Sequence, residues 1–202
     1  MSGLAGGPLC GHEPASGSDP LEGPEHVKGS VLVAGVGNIF LSDDGFGVEV
    51  VRQLCNRQID VPPSVTICDY GIRGVHLVYE LLNGYDTLIL VDAMATGEVP
   101  GTVSAFEVDP LQVASPGEIS QEGALYSPQI DSHAMKPDVV LSMLASLGGT
   151  LGKVIVVGCE PLSTEESMGL SGPVAAAVDR AAEMVIALIG QATTHTLEEV
   201  IP

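Results

Sequence analysis

The run from Gly35 to Gly47 (GVGNIFLSDDGFG) carries two neighbouring carboxylates, Asp43 and Asp44, where a strand gives way to a helix. The apolar residues before it, Val31 to Ala34, are typical of a strand that is buried on both faces of a parallel sheet. Apolar residues recur at helical spacing after it, starting from Val48. Open α/β sheets bind their ligands at the carboxyl ends of such strands. The run therefore predicts a functional site rather than a piece of the core.

Two simpler explanations of this run remain open. Aspartate is a favoured helix N-cap, so either Asp43 or Asp44 could serve only to accept hydrogen bonds from the first amides of the helix. A glycine-rich turn between strand and helix can also hold a pyrophosphate, but the third glycine of the dinucleotide fingerprint is missing here. Two carboxylates would also repel a phosphate where that motif needs hydrogen-bond donors.

Two later acidic residues follow predicted strands in the same way. Asp69 comes after the strand Val65–Cys68, and Asp92 comes after the strand Thr87–Val91. Because a parallel sheet gathers the carboxyl ends of its strands at one edge, these side chains are expected at the same edge as Asp44. An unpaired buried charge is costly, so Asp92 needs a partner. That partner could be a ligand or, in a purely structural role, a helix end or a buried hydrogen bond.

A histidine, His133, lies just before a helix that is predicted to start at Pro137. A single loop histidine is usually just solvated. Two carboxylates and this imidazole on one sheet edge would form a three-ligand N,O site with open positions, which suits Ni, Zn or Cu better than Mg or Ca. Because a ligating imidazole must be neutral, metal binding would weaken below about pH 6.

The charge of the chain limits its partners. Of the 202 residues, 7 are Lys or Arg and 26 are Asp or Glu, which gives a net charge of -19. This sign opposes binding to nucleic acid or to an anionic membrane, so the expected partners are cationic, metal-bearing or neutral. The sequence shows neither a membrane span nor a signal peptide. Three of the four cysteines, Cys55, Cys68 and Cys159, lie in apolar runs and are expected to be buried, reduced thiols, which predicts a cytoplasmic protein.

The order of the predicted elements indicates one α/β domain. Strands are predicted at 31–36, 65–68, 87–91, 102–108 and 153–157, and helices at about 45–57, at about 74–83, and from Pro137 and Pro173. This alternation predicts three αβα layers, with a mainly parallel, twisted sheet of about five strands and helices on both faces. Residues 1–29 are predicted to be a disordered Gly/Pro-rich extension, 30–190 the domain, and 191–202 a loose tail. The loop 109–132 is long enough to favour a functional role.

The chain resembles the hydrogenase maturation endopeptidase family in a series of ordered motifs. The motifs are Gly35-x-Gly37-Asn38-x-x-x-x-Asp43-Asp44-Gly45-x-Gly47, Asp69-x-Gly71, Asp92-Ala93, His133 and Gly158-Cys159-Glu160-Pro161. The likeness extends from Val31 to about Ile189. The first motif, followed in order by the later Asp and His, is quite specific.

This resemblance implies an aspartic-type endopeptidase that removes the C-terminal extension from the nickel-loaded large-subunit precursor of a [NiFe] hydrogenase and so activates it. It implies that Asp44, Asp92 and His133 contact nickel, which the precursor carries, and that other divalent ions can substitute. Asp69 is the candidate for assisting near the scissile bond, and Asp44 and Asp92 are the other candidate catalytic residues. The fold of the family agrees with the one predicted above, and a monomer is expected.

The chain departs from the family pattern at two positions. The residue that matches Asp44 is commonly Glu, which is longer by one methylene, and the second motif commonly has glycine where this chain has Tyr70. Two other functions remain open. A non-enzymatic, nickel-sensing assembly factor for the same subunit would use the same ligands, and a nucleotide-binding α/β protein is the remaining alternative.

Overall fold

The computed structural model describes residues 29–57, 59–110 and 137–198. His133, the extension up to residue 28 and most of the long loop that follows residue 109 lie outside the described residues. The strands are β1 (Val31–Val36), β2 (Val65–Gly71), β3 (Thr87–Ala93), β4 (Val103–Val108) and β5 (Lys153–Cys159). They form one sheet in the order β2-β1-β3-β5-β4, in which only β4 runs antiparallel to its neighbour. The predicted mainly parallel sheet is confirmed.

Helices cover both faces of the sheet, as predicted. They are α1 (Phe46–Asn56), α2 (Gly74–Leu81), α3 (Pro137–Ser146) and α4 (Gly172–Glu198), and a short 3-10 helix (Ser42–Gly45) precedes α1. Helices α1 and α4 share a core with one set of strand residues, which includes Val33 and Ile89. Helices α2 and α3 share a second core with the alternate set, which includes Leu32 and Leu90. Because successive strand residues face opposite sides, one continuous apolar run supplies both cores.

Three strands, β2, β3 and β5, continue past the ends predicted for them. The backbone of Asp69 pairs with Gly35 in β1, and that of Asp92 pairs with Gly158 in β5. A polar residue does not end a strand whose neighbours still offer backbone partners. Both carboxylates therefore belong to residues within strands rather than in turns.

Helix α4 reaches Glu198, whereas residues from 191 onward were predicted to be a loose tail. The hydroxyl of Thr193 donates to the carbonyl of Ile189 at 2.9 Å, and that of Thr194 donates to Gly190 at 2.7 Å. Such bonds to the preceding turn are compatible with a helix. The threonine side chains thus have local partners within the helix.

The prediction that three cysteines are buried thiols is wrong for two of them. The described cysteines form no disulfide, but only Cys159 is buried, whereas Cys68 is half-buried and Cys55 is exposed. In α1 the side chains of Val51 and Leu54 face the core, which turns the adjacent Cys55 outward. An apolar run on a helix does not by itself show which of its members faces the core.

The topology creates a crevice between β1 and β3. From β1 the chain passes through α1 to β2 on one side, and then through α2 to β3 on the other side. A reversal of this kind separates the loops that follow the two strands, and ligands of open α/β sheets bind in the resulting crevice. None of the helices in the described ranges has the length and apolar character needed to cross a membrane.

Candidate active site

Two glycines allow the start of α1 to lie directly against the sheet. A Cβ atom on Gly47 would collide with the carbonyl oxygens of Val91 and Val36, and one on Gly37 would collide with the carbonyl of Asp44. Gly37 also has a φ of 123°, which a residue with a side chain rarely adopts. This close approach brings the 3-10 helix, with both of its aspartates, to the carboxyl ends of β1 and β3.

The structure brings Asp44 and Asp92 together. Asp44 follows β1, and its Oδ2 accepts a hydrogen bond from the N–H of Asn38 at 2.7 Å. Asp92 is on β3, where its Oδ1 accepts from the N–H of Ala93 at 2.8 Å. The two carboxyl groups flank the crevice between these strands and interact electrostatically. The sequence predicted that two carboxylates and the imidazole of His133 would converge on one edge of the sheet, and the described residues include the two carboxylates.

The pair of carboxyl groups is unfavourable when both are charged. Burial, followed by the negative charge of Asp44, raises the pKa of Asp92 to about 8, and the Ala93 hydrogen bond only partly opposes this. Asp92 is not wholly shielded from solvent, but its carboxyl group is enclosed closely enough for burial to dominate. The protonated form of Asp92 is therefore favoured relative to that of an exposed aspartate. A cation bound between the two carboxylates would compensate the negative charges of both.

Asp43, the neighbour of Asp44, has a different role. Its side chain is fully buried and accepts four hydrogen bonds. The donors are the N–H groups of Leu162, Ser163 and Ser171 and the hydroxyl of Ser171, at 2.6 to 3.1 Å. Burial alone would raise the pKa of Asp43, but these donors hold it below its ordinary value. Asp43 anchors the loop after β5, so only Asp44 is available to a ligand.

The third acidic candidate, Asp69, stands apart from this pair. It lies in β2, on the far side of β1 from β3, so its backbone is about 10 Å from that of Asp92, which is two strand spacings. Side chains alternate between the two faces along a strand, so Asp69 lies on the same face as Ile67, which packs in the core under α1 and α4. Asp92 lies on the same face as Leu90, which packs in the core under α2 and α3, so the two carboxyl groups are on opposite faces of the sheet. Oδ1 of Asp69 is buried and has no hydrogen-bond partner among the described residues.

Tyr70 does not obstruct Asp69. It is the extra residue of a β-bulge, since Gly35 pairs with Asp69 and Val36 pairs with Gly71. Its ring is buried in the core beneath α2 and α3, and burial raises the pKa of its hydroxyl. The substitution of a common glycine by Tyr70 therefore adds to the core and leaves the sheet edge open.

An open cleft of about 440 Å³ lies beside Asp69, between β2 and α2. It is lined by Cys68, Asp69, Tyr70, Arg73, His76, Tyr79, Glu80 and Asn83. The guanidinium of Arg73 donates to the carbonyls of Asp69 and Tyr70 and so fixes the mouth of the cleft. Asp69 is the candidate site residue among those that line it.

The sequence predicts no role for Glu160, which is part of the motif Gly158-Cys159-Glu160-Pro161. Its Oε2 accepts from the N–H and the hydroxyl of Thr96 and from the N–H of Gly97, at 2.6 to 3.1 Å. The bonds from Thr96 lead in holding the pKa of Glu160 below its ordinary value, while its partial burial acts in the opposite direction. Glu160 thereby fixes the loop that follows Asp92. Its position directly after Gly158-Cys159, at the end of β5, was the sequence feature that could have indicated this role.

Two of the three residues predicted to bind a metal, Asp44 and Asp92, lie within the described residues. His133 lies outside them, and within the described ranges no group of three His, Cys, Asp or Glu side chains is arranged to hold a metal. The backbone donors that a phosphate would need are engaged. The N–H of Gly37 donates to Gly71, and that of Asn38 donates to Asp44. These bonds weigh against nucleotide binding at this turn.

Comparisons with known proteins agree with one another. The family model described as hydrogenase maturation protease matches residues 48–188. The hydrogenase 2 maturation protease of Escherichia coli (strain K12) is 33% identical over 168 residues, which cover 83% of this chain and 94% of the relative. The hydrogenase expression/formation protein HupD of Rhizobium leguminosarum bv. viciae is 30% identical over 160 residues, covering 79% of this chain and 73% of the relative. Among solved structures, the hydrogenase maturating endopeptidase HybD from E. coli superposes with a TM-score of 0.63 at 31% identity, covering 80% of this chain and 93% of that one.

Proposed function

Because the chain belongs to the hydrogenase maturation protease family, we propose that it cleaves the C-terminal extension from the nickel-loaded large-subunit precursor of a [NiFe] hydrogenase. The observation that carries this proposal is the placement of Asp44 and Asp92 on either side of the crevice between β1 and β3. Two carboxyl groups that repel each other in a half-enclosed site are suited to a cation that arrives with the substrate.

In this proposal the nickel is part of the substrate. Asp44 and Asp92 supply oxygen ligands, and His133 supplies a nitrogen ligand. This mixed set of donors suits a borderline divalent ion and leaves coordination positions for the precursor's own ligands. The hydrogen bond from Asn38 orients Asp44 before the metal arrives. Because a ligating carboxylate must be deprotonated, nickel favours the charged form of Asp92 over the protonated form.

The site recognises the metal in order to position a peptide bond. In this proposal the nickel is held at the crevice, and the chain that leads from it to the extension crosses the carboxyl edge of the sheet. Asp69 lies at this edge, and the buried Oδ1 is an acceptor that a substrate amide or a water molecule can satisfy. We assign Asp69 to the activation of the water that attacks the scissile carbonyl, which makes the chemistry of the aspartic type.

The test is incubation of the full chain with nickel-loaded precursor, followed by mass spectrometry of the large subunit. Cleavage shortens the subunit by the mass of the extension, whereas an assembly factor that only binds leaves its mass unchanged. Asp92→Ala and His133→Ala should each abolish cleavage, and Asp60→Ala, which alters an exposed carboxylate, should not. Unchanged cleavage by the first two variants would refute the site, and binding without cleavage by the wild type would favour the assembly factor.

A further inference from the structure

An exposed apolar surface lies next to Asp44. Its members are Ile39, Phe40, Leu162 and Met168, which we name the apolar rim. The exposed fractions are 61% for Phe40, 58% for Leu162 and 75% for Met168. Exposed large apolar side chains that occur together beside a functional site are typical of a surface that binds another protein.

Hydrogen bonds between two loops hold the apolar rim in place. The N–H of Ser42 donates to the carbonyl of Ser167 at 2.8 Å, and the N–H of Ser167 donates to that of Phe40 at 3.0 Å. The buried carboxylate of Asp43 binds the second loop at both ends, through Leu162 and through Ser171. The rim is therefore fixed before any partner binds, which reduces the entropy lost on binding.

The backbone two residues after Phe40 is also strained. Ser42 has a φ of 51°, which a residue with a side chain seldom adopts, and among the described residues it is the only non-glycine with a positive φ. Its hydroxyl donates to the carbonyl of Gly169 at 3.4 Å. Strain of this kind persists only where the surroundings impose it, and it is concentrated at functional sites.

The charges around the rim indicate the chemistry of the partner. Glu165 and Glu166 are exposed on the second loop, and the pairing of Leu41 with Ser167 places Glu166 alongside Phe40. The whole chain has a net charge of -19. A partner segment that carries both apolar and basic side chains complements this surface, whereas a second copy of the chain would be repelled.

We infer that the apolar rim docks a segment of the hydrogenase precursor that carries apolar and basic side chains, next to the nickel site. The inference rests on the proposed function and adds a recognition surface to it. Asp44 links the two sites because its N–H donates to the carbonyl of Leu41 and its carboxylate accepts from Asn38, so the loop that presents Phe40 also orients the metal ligand.

The test compares KM and kcat for cleavage of the nickel-loaded precursor. Phe40→Ser and Met168→Ser should each raise KM by about tenfold, as expected for truncated anchor residues, and should change kcat less than twofold. Leu147→Ser is the matched control, since Leu147 is 52% exposed but follows α3 at the opposite edge of the sheet. All these residues are exposed, so the melting temperatures of the variants should stay close to that of the wild type.

A second pair of variants tests the charge argument. Glu165→Lys/Glu166→Lys should raise KM, and Glu183→Lys, an exposed change on α4, should not. If the rim variants cleave the precursor with the same KM as the wild type, the docking proposal is wrong and the proposed function is unaffected. A wild-type dimer in sedimentation that Phe40→Ser converts to a monomer would also overturn the docking proposal, because the rim would then bind a second copy. If the wild type does not cleave the precursor, the proposed function fails as well.

Discussion

Asp43 and Ser171, which are 128 residues apart, are joined by two hydrogen bonds. Oδ1 of Asp43 accepts from the Ser171 N–H at 2.6 Å, and Oδ2 accepts from its hydroxyl at 2.9 Å. The same carboxylate accepts two further N–H groups from the loop after β5. One aspartate of the adjacent pair is therefore structural and fixes the position of Asp44, which faces the crevice.

The first prediction concerns this anchor. Asp43→Asn should destabilise the protein by about 2 to 3 kcal/mol, because the amide nitrogen cannot accept and leaves buried N–H donors without a charged partner. Urea denaturation measures the free energy of unfolding. Asp60→Asn, an exposed change, should alter it by no more than about 0.5 kcal/mol. Equal values for the two variants would show that Asp43 is no anchor.

The second prediction concerns the close approach of α1 to the sheet. Gly47→Ala should cost about 1 to 3 kcal/mol, because the added Cβ meets the carbonyls of Val91 and Val36, which are backbone atoms and cannot rotate away. Gly190→Ala is the control, since a Cβ there meets open space in the helix and should stabilise the protein by about 0.5 to 1 kcal/mol. Both values come from denaturant titration, and stabilisation by Gly47→Ala would contradict the described packing.

The third prediction concerns pH. The hydrogen bonds from Thr96 and Gly97 hold the pKa of Glu160 below 4.5, the ordinary value of a glutamate. The stability that they contribute is therefore complete above about pH 4.5 and is lost as the pH falls through the folded-state pKa. Glu160→Gln should lower the melting temperature at pH 7, and the gap to the wild type should shrink below pH 4.5. If the difference in melting temperature between wild type and variant increased on acidification, this prediction would be wrong.

The fourth prediction concerns the metal. An excess of Ni²⁺ should raise the melting temperature of the wild type, since a ligand at 100 times its Kd adds about 2.7 kcal/mol to the free energy of unfolding. Asp44→Asn, Asp92→Asn and His133→Ala should each reduce this shift, and a chelator should reverse it. Asp69→Asn should retain the shift, because Asp69 stands apart from the pair. An equal shift in all variants would place the nickel elsewhere.

Much of the fold could be predicted from the sequence because burial on both faces leaves a plain pattern. Val31–Val36 is apolar throughout, and its predicted bounds agree with those of β1. The ends of β2 and β3 could not be predicted, because pairing with Gly35 and Gly158 continues through Asp69 and Asp92. A strand ends where the neighbouring strands no longer provide backbone hydrogen-bond partners. The residues of one segment do not show which strands will lie beside it.

The sequence by itself predicted that Asp44, Asp69 and Asp92 would lie at one edge of the sheet, because a parallel sheet gathers the carboxyl ends of its strands there. Only the tertiary structure decided which of Asp43 and Asp44 is structural, that Glu160 fixes the loop after Asp92, and that Asp69 stands apart. The role of His133 stays a prediction. The physical reason is the separation of the partners in sequence: the N–H groups that donate to Asp43 belong to residues 119 to 128 positions away. A hydrogen bond over that separation follows from the packing of the whole chain and leaves no local pattern.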